Sequence, residues 1–429
     1  MSQPHALIVG GSMGGLAAAC ALRQIGWRVT VLEQSSEPLS GRGAGIVTHD
    51  GLRVALQRLG LSVQDGLGLS VPQRVFLDRS GSAVASSQWP QEQTSWQGLW
   101  QRLRQATPDA HYVMGAKVHT LEPGDADTPA QCRWGGQPQA PESSLSADLV
   151  VLANGLRSPW RQRWFEAPTP RYAGYVAWRA MVPLHQLSAQ AQAMLGEHFV
   201  FSQAPGEQIL AYPVWGAQRT THVNVVWYRA TSNAQRDAML TDATGTCHPH
   251  GIAPHQLLPS WAQAAVADAA RRWHPCWAEV LERAPQLLLQ VIVDATTPRM
   301  NHGRVALLGD AAFVARPHVG QGVTKAVGDA LALAEALQCH TEIPVALAEY
   351  SQARVAVGRR AVEQGQRLGA VVAHQGQDMA RWALHYAQPR HLLADTAVEI
   401  PGVAHVQDTG GAPALSTGGT CNGKVSRRG

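Results

Sequence analysis

A glycine-rich hexapeptide near the N-terminus, Gly10–Gly15 (GGSMGG), has the spacing of a turn that carries phosphate. It fits GxGxxG with Ser12 in the middle glycine place. Gly10 permits the tight turn, a small residue at Ser12 lets the backbone approach a pyrophosphate, and Gly15 lets helix and strand pack closely. Met13 and Gly14 complete the helix start, whose free N–H groups and positive dipole end favour an anion. Glu33 follows about 20 residues on, where a carboxylate holds ribose hydroxyls. An acid there favours an adenosine without a 2′-phosphate, and so FAD or NAD over NADP. The bland alternative is a glycine turn without a ligand, and the flanking pattern together with Glu33 weighs against it.

A second segment, Arg304–Leu337, contains Gly309-Asp310 after an apolar run, then Arg316, Pro317 and His318, then Gly320 and Gly322 at a helix start. An Asp just beyond a strand suits a polyol such as ribitol. A glycine-opened helix start can stabilise negative charge on a ring edge. An ordinary strand–loop–helix remains the alternative for this segment taken alone.

The elements that must position these residues are legible in outline. His5–Val9 is a short apolar run, Leu16–Ile25 an Ala/Leu-rich helix stopped by Gly26, and Arg28–Glu33 (RVTVLE) a β-branched strand. This βαβ opening predicts a parallel sheet. Ser146–Asn154 and Arg304–Leu308 read as further buried strands. Between them, Arg171–Arg229 alternates (YVAWRAMV, HVNVVWYR), which predicts antiparallel strands with one face solvated or ligand-facing. Helical spacing returns over Gly320–Leu337 and Val345–Val372. The nucleotide-binding strands are therefore split, with a β-rich module inserted between them.

Bulk properties exclude several classes. The 429 residues favour two domains or one with a large insertion, and 45% hydrophobic with 15% charged residues fits a globular protein. A net charge of +4 without a basic stripe argues against nucleic acid. No run approaches the ~20 apolar residues of a membrane span, and the first residues lack the regions of a secretory signal. The six cysteines are scattered without a CxxC pair, which reads as reduced thiols, no metal site and a cytoplasmic location.

The two glycine segments resemble those of the group A FAD-dependent aromatic hydroxylases, a flavoprotein monooxygenase family whose second FAD motif is of the GD…P…GxG type. The resemblance extends over Pro38–Val47, Thr94–Trp100, Tyr172–Ala180, Ala211–Gly216 and Val293–His318, and it is strongest toward the hydroxypyridine hydroxylases of nicotine degradation. It implies an α/β fold: a Rossmann-like FAD-binding domain with an inserted antiparallel-sheet substrate domain and C-terminal helices, like p-hydroxybenzoate hydroxylase (PHBH-like). Residues 1–71, 105–170 and 295–340 would form the FAD-binding domain. Residues 72–104 and 171–294 would form the substrate domain, 341–400 the C-terminal helices and 401–429 a disordered tail.

By the same resemblance, Gly10, Ser12, Met13, Gly14, Gly15 and Glu33 would bind the ADP half of FAD, and Arg42 would reach the pyrophosphate. Asp310 would take the ribityl chain. Pro317, Gly320 and Gly322 would line the isoalloxazine, with Gly43–Ile46 passing beside it. Three positions depart from the family pattern: Asn154-Gly155 stands for the usual Asp-Gly, Phe313 for a common His, and Trp96 for a common Arg. Asn154 can still hydrogen-bond but carries no charge.

The implied reaction is hydroxylation of a small electron-rich aromatic, foremost a hydroxypyridine or related N-heterocycle, with loss of a side chain as a variant. NADH or NADPH reduces FAD, O₂ adds at flavin C4a, and the terminal peroxide oxygen attacks the ring. Deprotonating a ring hydroxyl calls for a base poised near neutral pH. His49, His222 and His318 are the candidates, with Tyr212 and Tyr228 to orient the ring and Arg179 to meet a carboxylate. Trp178 and Trp227 could stack on a ring, although strand tryptophans are more often core. A homodimer is implied by the family alone. Two other readings stay open from residues alone: a non-hydroxylating FAD oxidase or reductase, and a catalytically silent nucleotide-binding regulator.

Overall fold

The computed structural model describes residues 3–39, 45–64, 66–135, 142–216, 219–249, 251–374 and 377–405. The helix Met13–Gln24 is Ala-rich and buried along most of its length, and Gly26 at φ +87° ends it. It lies between two parallel strands, His5–Val9 and Arg28–Glu33, as the βαβ pattern requires. Strands are added on both sides to give a six-stranded sheet in the order 301–302, 305–307, 149–152, 5–9, 28–33, 111–114. Only the short Asn301–His302 strand runs antiparallel. Strands buried on both faces read as continuous apolar runs, and His5–Val9, Leu149–Leu152 and Val305–Leu307 are buried throughout. The helix Gly322–Cys339 packs against Met13–Gln24, and the long helix Ile343–Gly369 packs against it in turn.

A second sheet has eight strands in the order 288–294, 171–183, 221–230, 207–215, 199–204, 69–77, 83–95, 45–48. All neighbours are antiparallel except 199–204 with 69–77. Alternation sorts its side chains. Trp178, Val225, Trp227, Ile209 and Ala211 enter one core, against the helices 189–195, 259–272 and 275–283. Tyr175, Ala177, Leu210, Tyr212, Val226 and Tyr228 enter another on the opposite face. Trp178 and Trp227 are therefore core residues on the far side from the tyrosines. A three-stranded sheet (117–122, 130–135, 143–147) completes the β structure among the described residues.

Phe313, in place of the common His, is accommodated by Gly358: a Cβ at Gly358 would fall 2.3 Å from its ring. Residues 401–405, expected in the disordered tail, are ordered. Arg354 donates to the carbonyls of Gly402 (2.8 Å) and Val403 (2.9 Å), and Arg58 to that of His405 (2.8 Å). Residues 406–429 lie outside the described residues. Cys20, Cys132, Cys247 and Cys276 are free thiols, as expected of reduced cysteines. No helix of the described residues is long and apolar enough to cross a membrane.

Candidate active site

The hexapeptide turn is built by close contact. Gly10 has φ +107°, and a Cβ there would fall 2.5 Å from the Ala153 carbonyl oxygen. At Gly15 a Cβ would lie 1.8 Å from the Gly10 oxygen, so helix and strand touch where any side chain would part them. Ser12 is the helix N-cap and its hydroxyl makes no capping bond. Glu33 receives the Gly11 N–H on one carboxylate oxygen (2.8 Å) and the Ser35 N–H on the other (2.9 Å). The Gly11 carbonyl accepts from Trp100 Nε1 (3.1 Å) and the Tyr112 hydroxyl (3.2 Å). Trp96, at the position where the family often has Arg, stacks on Trp100 with centroids 6.2 Å apart. Asn154 follows the strand 149–152, and its Oδ1 is buried with no partner among the described residues.

Across the sheet, Gly309 (φ +65°) turns the chain so that Asp310 stands free. Asp310 is solvent-accessible yet surrounded by protein, and that enclosure raises its carboxyl pKa, with Lys325 and Arg161 opposing and Asp329 adding to the rise. It thus looks into an enclosed space rather than onto the open surface. The loop is fastened from beneath. Asp329 accepts from the Gly309 N–H (3.0 Å), Lys325 (3.5 Å) and Arg354 (2.7 Å). Arg161 donates to the carbonyls of Ala311, Ala312 and Thr296. Sequence reading did not single out Arg161, whose only signal was its place shortly after Asn154.

Pro317 opens a short 3-10 turn, Gly320 turns left-handed at φ +62°, and the helix starts at Gly322 without a side-chain cap. Gly322 is exposed, and a Cβ there would meet nothing within 4 Å. Thr324 Oγ1, one turn in, is buried without a partner among the described residues. An open helix start, an accessible enclosed Asp, a glycine turn and two orphaned polar atoms fit a flavin dinucleotide laid from Gly10–Gly15 to Gly322. Arg42, Gly43 and Ala44 lie outside the described residues.

The tyrosine-bearing face of the eight-stranded sheet closes the other side. Gly45 ties the two together: its N–H donates to Asn224 Oδ1 (3.2 Å), and its carbonyl accepts from the Tyr212 hydroxyl (3.0 Å). On that face Arg179 pairs in register with Val226, Tyr228 with Gln208, and Tyr212 with Asn224. Arg179 donates one bond to Gln290 (2.8 Å), its Nε is unpartnered, and no ion pair engages it among the described residues. Burial pushes the Tyr212 phenol up to about 12, and the Tyr228 phenol further, with Arg179 opposing both.

The three histidines are placed differently. His318 stacks on Tyr228 (centroids 4.0 Å apart) and shares a 2.9 Å hydrogen bond with the Tyr175 hydroxyl. Tyr175, which sequence reading missed, is held 5.5 Å from the guanidinium of Arg316, itself paired with Asp294 through two bonds of 2.9 and 2.8 Å. His49 lies in a different network: its Nε2 meets the Ala397 carbonyl (3.0 Å), which also accepts from Arg74 (3.2 Å) and Gln91 (3.0 Å). Ala397 has φ +50°, and its N–H donates to the His318 carbonyl (3.0 Å), so this strap braces the turn before Gly320. His222 sits near the end of its hairpin, half-buried, on the Thr220 carbonyl (3.0 Å). Burial lowers the His49 pKa to about 4 and, with the charge of Arg316, that of His318 to about 3. Neither buried ring is poised near neutrality as a base was expected to be, because desolvation outweighs what opposes it, for His49 the Ala397 carbonyl and the charge of Asp50.

Known proteins share this architecture. Residues 8–60 match an NAD(P)-binding Rossmann-like domain, 172–294 an FAD binding domain-like family, and 290–365 an FAD binding domain. The chain is 27% identical over 377 residues to 2,6-dihydroxypyridine 3-monooxygenase of Paenarthrobacter nicotinovorans, covering 86% of this chain and 91% of that enzyme. It is 25% identical over 360 residues to 6-hydroxynicotinate 3-monooxygenase of Pseudomonas fluorescens, covering 79% and 84%. The structure of 2,6-dihydroxypyridine-3-hydroxylase from Arthrobacter nicotinovorans superposes with a TM-score of 0.79 at 27% identity, over 88% of this chain and 94% of that one.

Proposed function

We propose that the chain, which is similar over most of its length to FAD-dependent aromatic-ring monooxygenases, hydroxylates a hydroxypyridine or related N-heterocycle bound as an anion. The observation that carries the substrate class is Arg179, a cation without a carboxylate partner among the described residues, on a sheet face otherwise lined by aromatic, aliphatic and amide side chains. The curated relatives named for hydroxypyridine chemistry support the same class.

The same reading gives these residues their roles. The Gly10–Gly15 turn, Glu33 and Asn154 hold the ADP half of FAD. Asp310 takes the ribityl chain, and Pro317, Gly320 and the helix start at Gly322 face the ring system. When bound, FAD supplies the path by which NAD(P)H electrons activate O₂. Each turnover uses one NAD(P)H, one proton and one O₂, puts one oxygen atom on the ring in place of hydrogen and releases the other as water. Leu210 and Val226 form an apolar floor that excludes water from the ring. Arg179 stabilises the ring oxygen as an anion and so makes the ring electron-rich without a near-neutral histidine. Tyr228 and Tyr212 stay protonated and donate to ring oxygens, and His318 holds Tyr228 by stacking. We assign His222 no role in the reaction, and His49 braces the strap.

The test is oxidation of NADH and NADPH by the flavin-loaded enzyme with hydroxypyridines and hydroxybenzoates under ¹⁸O₂. A hydroxypyridine that stimulates oxidation and gains one ¹⁸O is the expected result. Stimulated oxidation that yields only peroxide with every ring would overturn the hydroxylase reading in favour of an oxidase.

A further inference from the structure

Gln208 is fully buried, and both its Oε1 and Nε2 lack a hydrogen-bond partner among the described residues. Most buried polar side chains find partners, so an amide left open at both atoms stands out. Its position is informative. It alternates with Leu210 and Tyr212 on one strand, so it belongs to the face that carries Tyr228 and Arg179. Its register partner on one side is Tyr228, and on the other Gln203, whose Nε2 is unpartnered too. Arg179 pairs with Val226, two residues along the strand from Tyr228. Asn224, two residues further, has a buried Nδ2 without a partner among the described residues. Val226 and Leu210 thus lie between an amide row (Tyr228, Gln208) and a second one (Asn224, Tyr212), with Arg179 alongside.

A primary carboxamide offers one acceptor and one donor side by side, without charge. Its complement is an edge with N–H next to C=O, which is the lactam edge of a 2-hydroxypyridine in its pyridone form. A carbocyclic phenol has C–H in place of that N–H, so its edge cannot answer Oε1 and Nε2 side by side. We infer that Gln208 reads the lactam edge of the bound ring and selects N-heterocycles over phenols of the same shape. This rests on the hydroxypyridine reading above and adds the residue that sets the class. The ring oxygen away from that edge goes to Arg179, so recognition and activation are divided between two side chains. A site built to hydrogen-bond a substrate group rejects the analogue that lacks it far more strongly than an apolar pocket rejects a methylene.

The test compares 2,6-dihydroxypyridine with resorcinol, its carbocyclic isostere, in flavin-loaded wild type, Gln208→Leu and Gln208→Glu. Affinity is read by equilibrium dialysis and turnover by product formation. Wild type should prefer the pyridine by roughly 10²-fold or more in kcat/KM. Gln208→Leu should bring the two rings to within about tenfold, mainly by weakening the pyridine. Gln208→Glu keeps the shape and an acceptor, and should fall between them. If Gln208→Leu does not load flavin, Gln208→Glu and the wild-type ratio carry the test. An unchanged preference in a variant that loads flavin would overturn the inference, because the amide would then serve only packing or a buried water. If wild type binds the pyridine but hydroxylates no ring, the functional reading fails while the dialysis ratio still decides the role of Gln208. If wild type binds neither ring, both fall.

Discussion

The Tyr175 hydroxyl and His318 Nε2 lie 2.9 Å apart in a bond that joins strand 171–183 of the eight-stranded sheet to the loop before Gly320. Both groups are fully enclosed, and both rings also contact Tyr228. Removing the phenol oxygen leaves a buried ring nitrogen without its partner, which costs about 1–3 kcal/mol. Tyr175→Phe should therefore lose about that much stability in urea denaturation, keep its flavin, and raise KM for the aromatic ring more than it lowers kcat.

Stability should fall in mild acid, with a sign fixed by the two buried histidines. Their folded pKa values, about 4 for His49 and about 3 for His318, lie below the ordinary 6.5. Below about pH 6.5 the unfolded chain takes up protons that the folded one refuses. Stability is thus full above that pH and declines as pH falls toward 4, by up to about 1.4 kcal/mol per pH unit for each ring. His49→Gln should flatten the dependence of Tm on pH between 6.5 and 4. A slope unchanged in that variant would show that His49 titrates as it does in the unfolded chain.

The pH dependence of turnover should report the substrate rather than a histidine. Arg179→Met removes the cation that favours the ring anion, so the pH at which kcat/KM reaches half its limit should move upward. At neutral pH kcat/KM should drop by roughly 10–10²-fold. Arg179→Lys keeps the charge and loses the bond to Gln290, so its fall should be smaller.

Two glycine substitutions should separate folding from cofactor binding. Gly15→Ala places a carbon 1.8 Å from a backbone oxygen and should give destabilised, colourless protein. Gly322→Ala meets nothing within 4 Å and should fold as well as wild type. It should nonetheless bind FAD less tightly, because the added methyl stands where the flavin approaches the helix start. Melting curves with and without FAD distinguish the two outcomes.

The buried Arg316–Asp294 pair holds Tyr175 in place, and Gln366 adds a third bond to Asp294 (3.2 Å). Asp294→Asn strands a buried guanidinium and should cost about 3–5 kcal/mol in equilibrium unfolding.

The sequence reveals what is local. Gly10–Gly15, Glu33, the two strands around them, Gly309-Asp310 and the helix from Gly322 announce themselves by spacing over a few tens of residues. The alternation over Arg171–Arg229 likewise places Tyr212 and Tyr228 on one face. What binds these pieces together does not show in any window. Tyr175 reaches His318 across 143 positions, Gly45 reaches Asn224 across 179, and Arg74 reaches Ala397 across 323. Counting histidines suggested three equivalent bases. Burial and partners separate them: one behind a tyrosine, one in a strap, one near a hairpin end. Arg179 was visible as a residue, but that no acidic partner engages it among the described residues is a property of the folded sheet alone.

The order of the six-stranded sheet bears on how the protein is made. His5–Val9 pairs with 149–152, and that strand pairs with 305–307. At roughly 5–20 residues per second on the ribosome, the first strand waits on the order of 15–60 s before the last of these neighbours is synthesised. The phosphate turn thus emerges early, without the sheet that fixes it. A nascent chain ending before residue 305 should capture no flavin, and its exposed strand edges are where chaperones would be needed most.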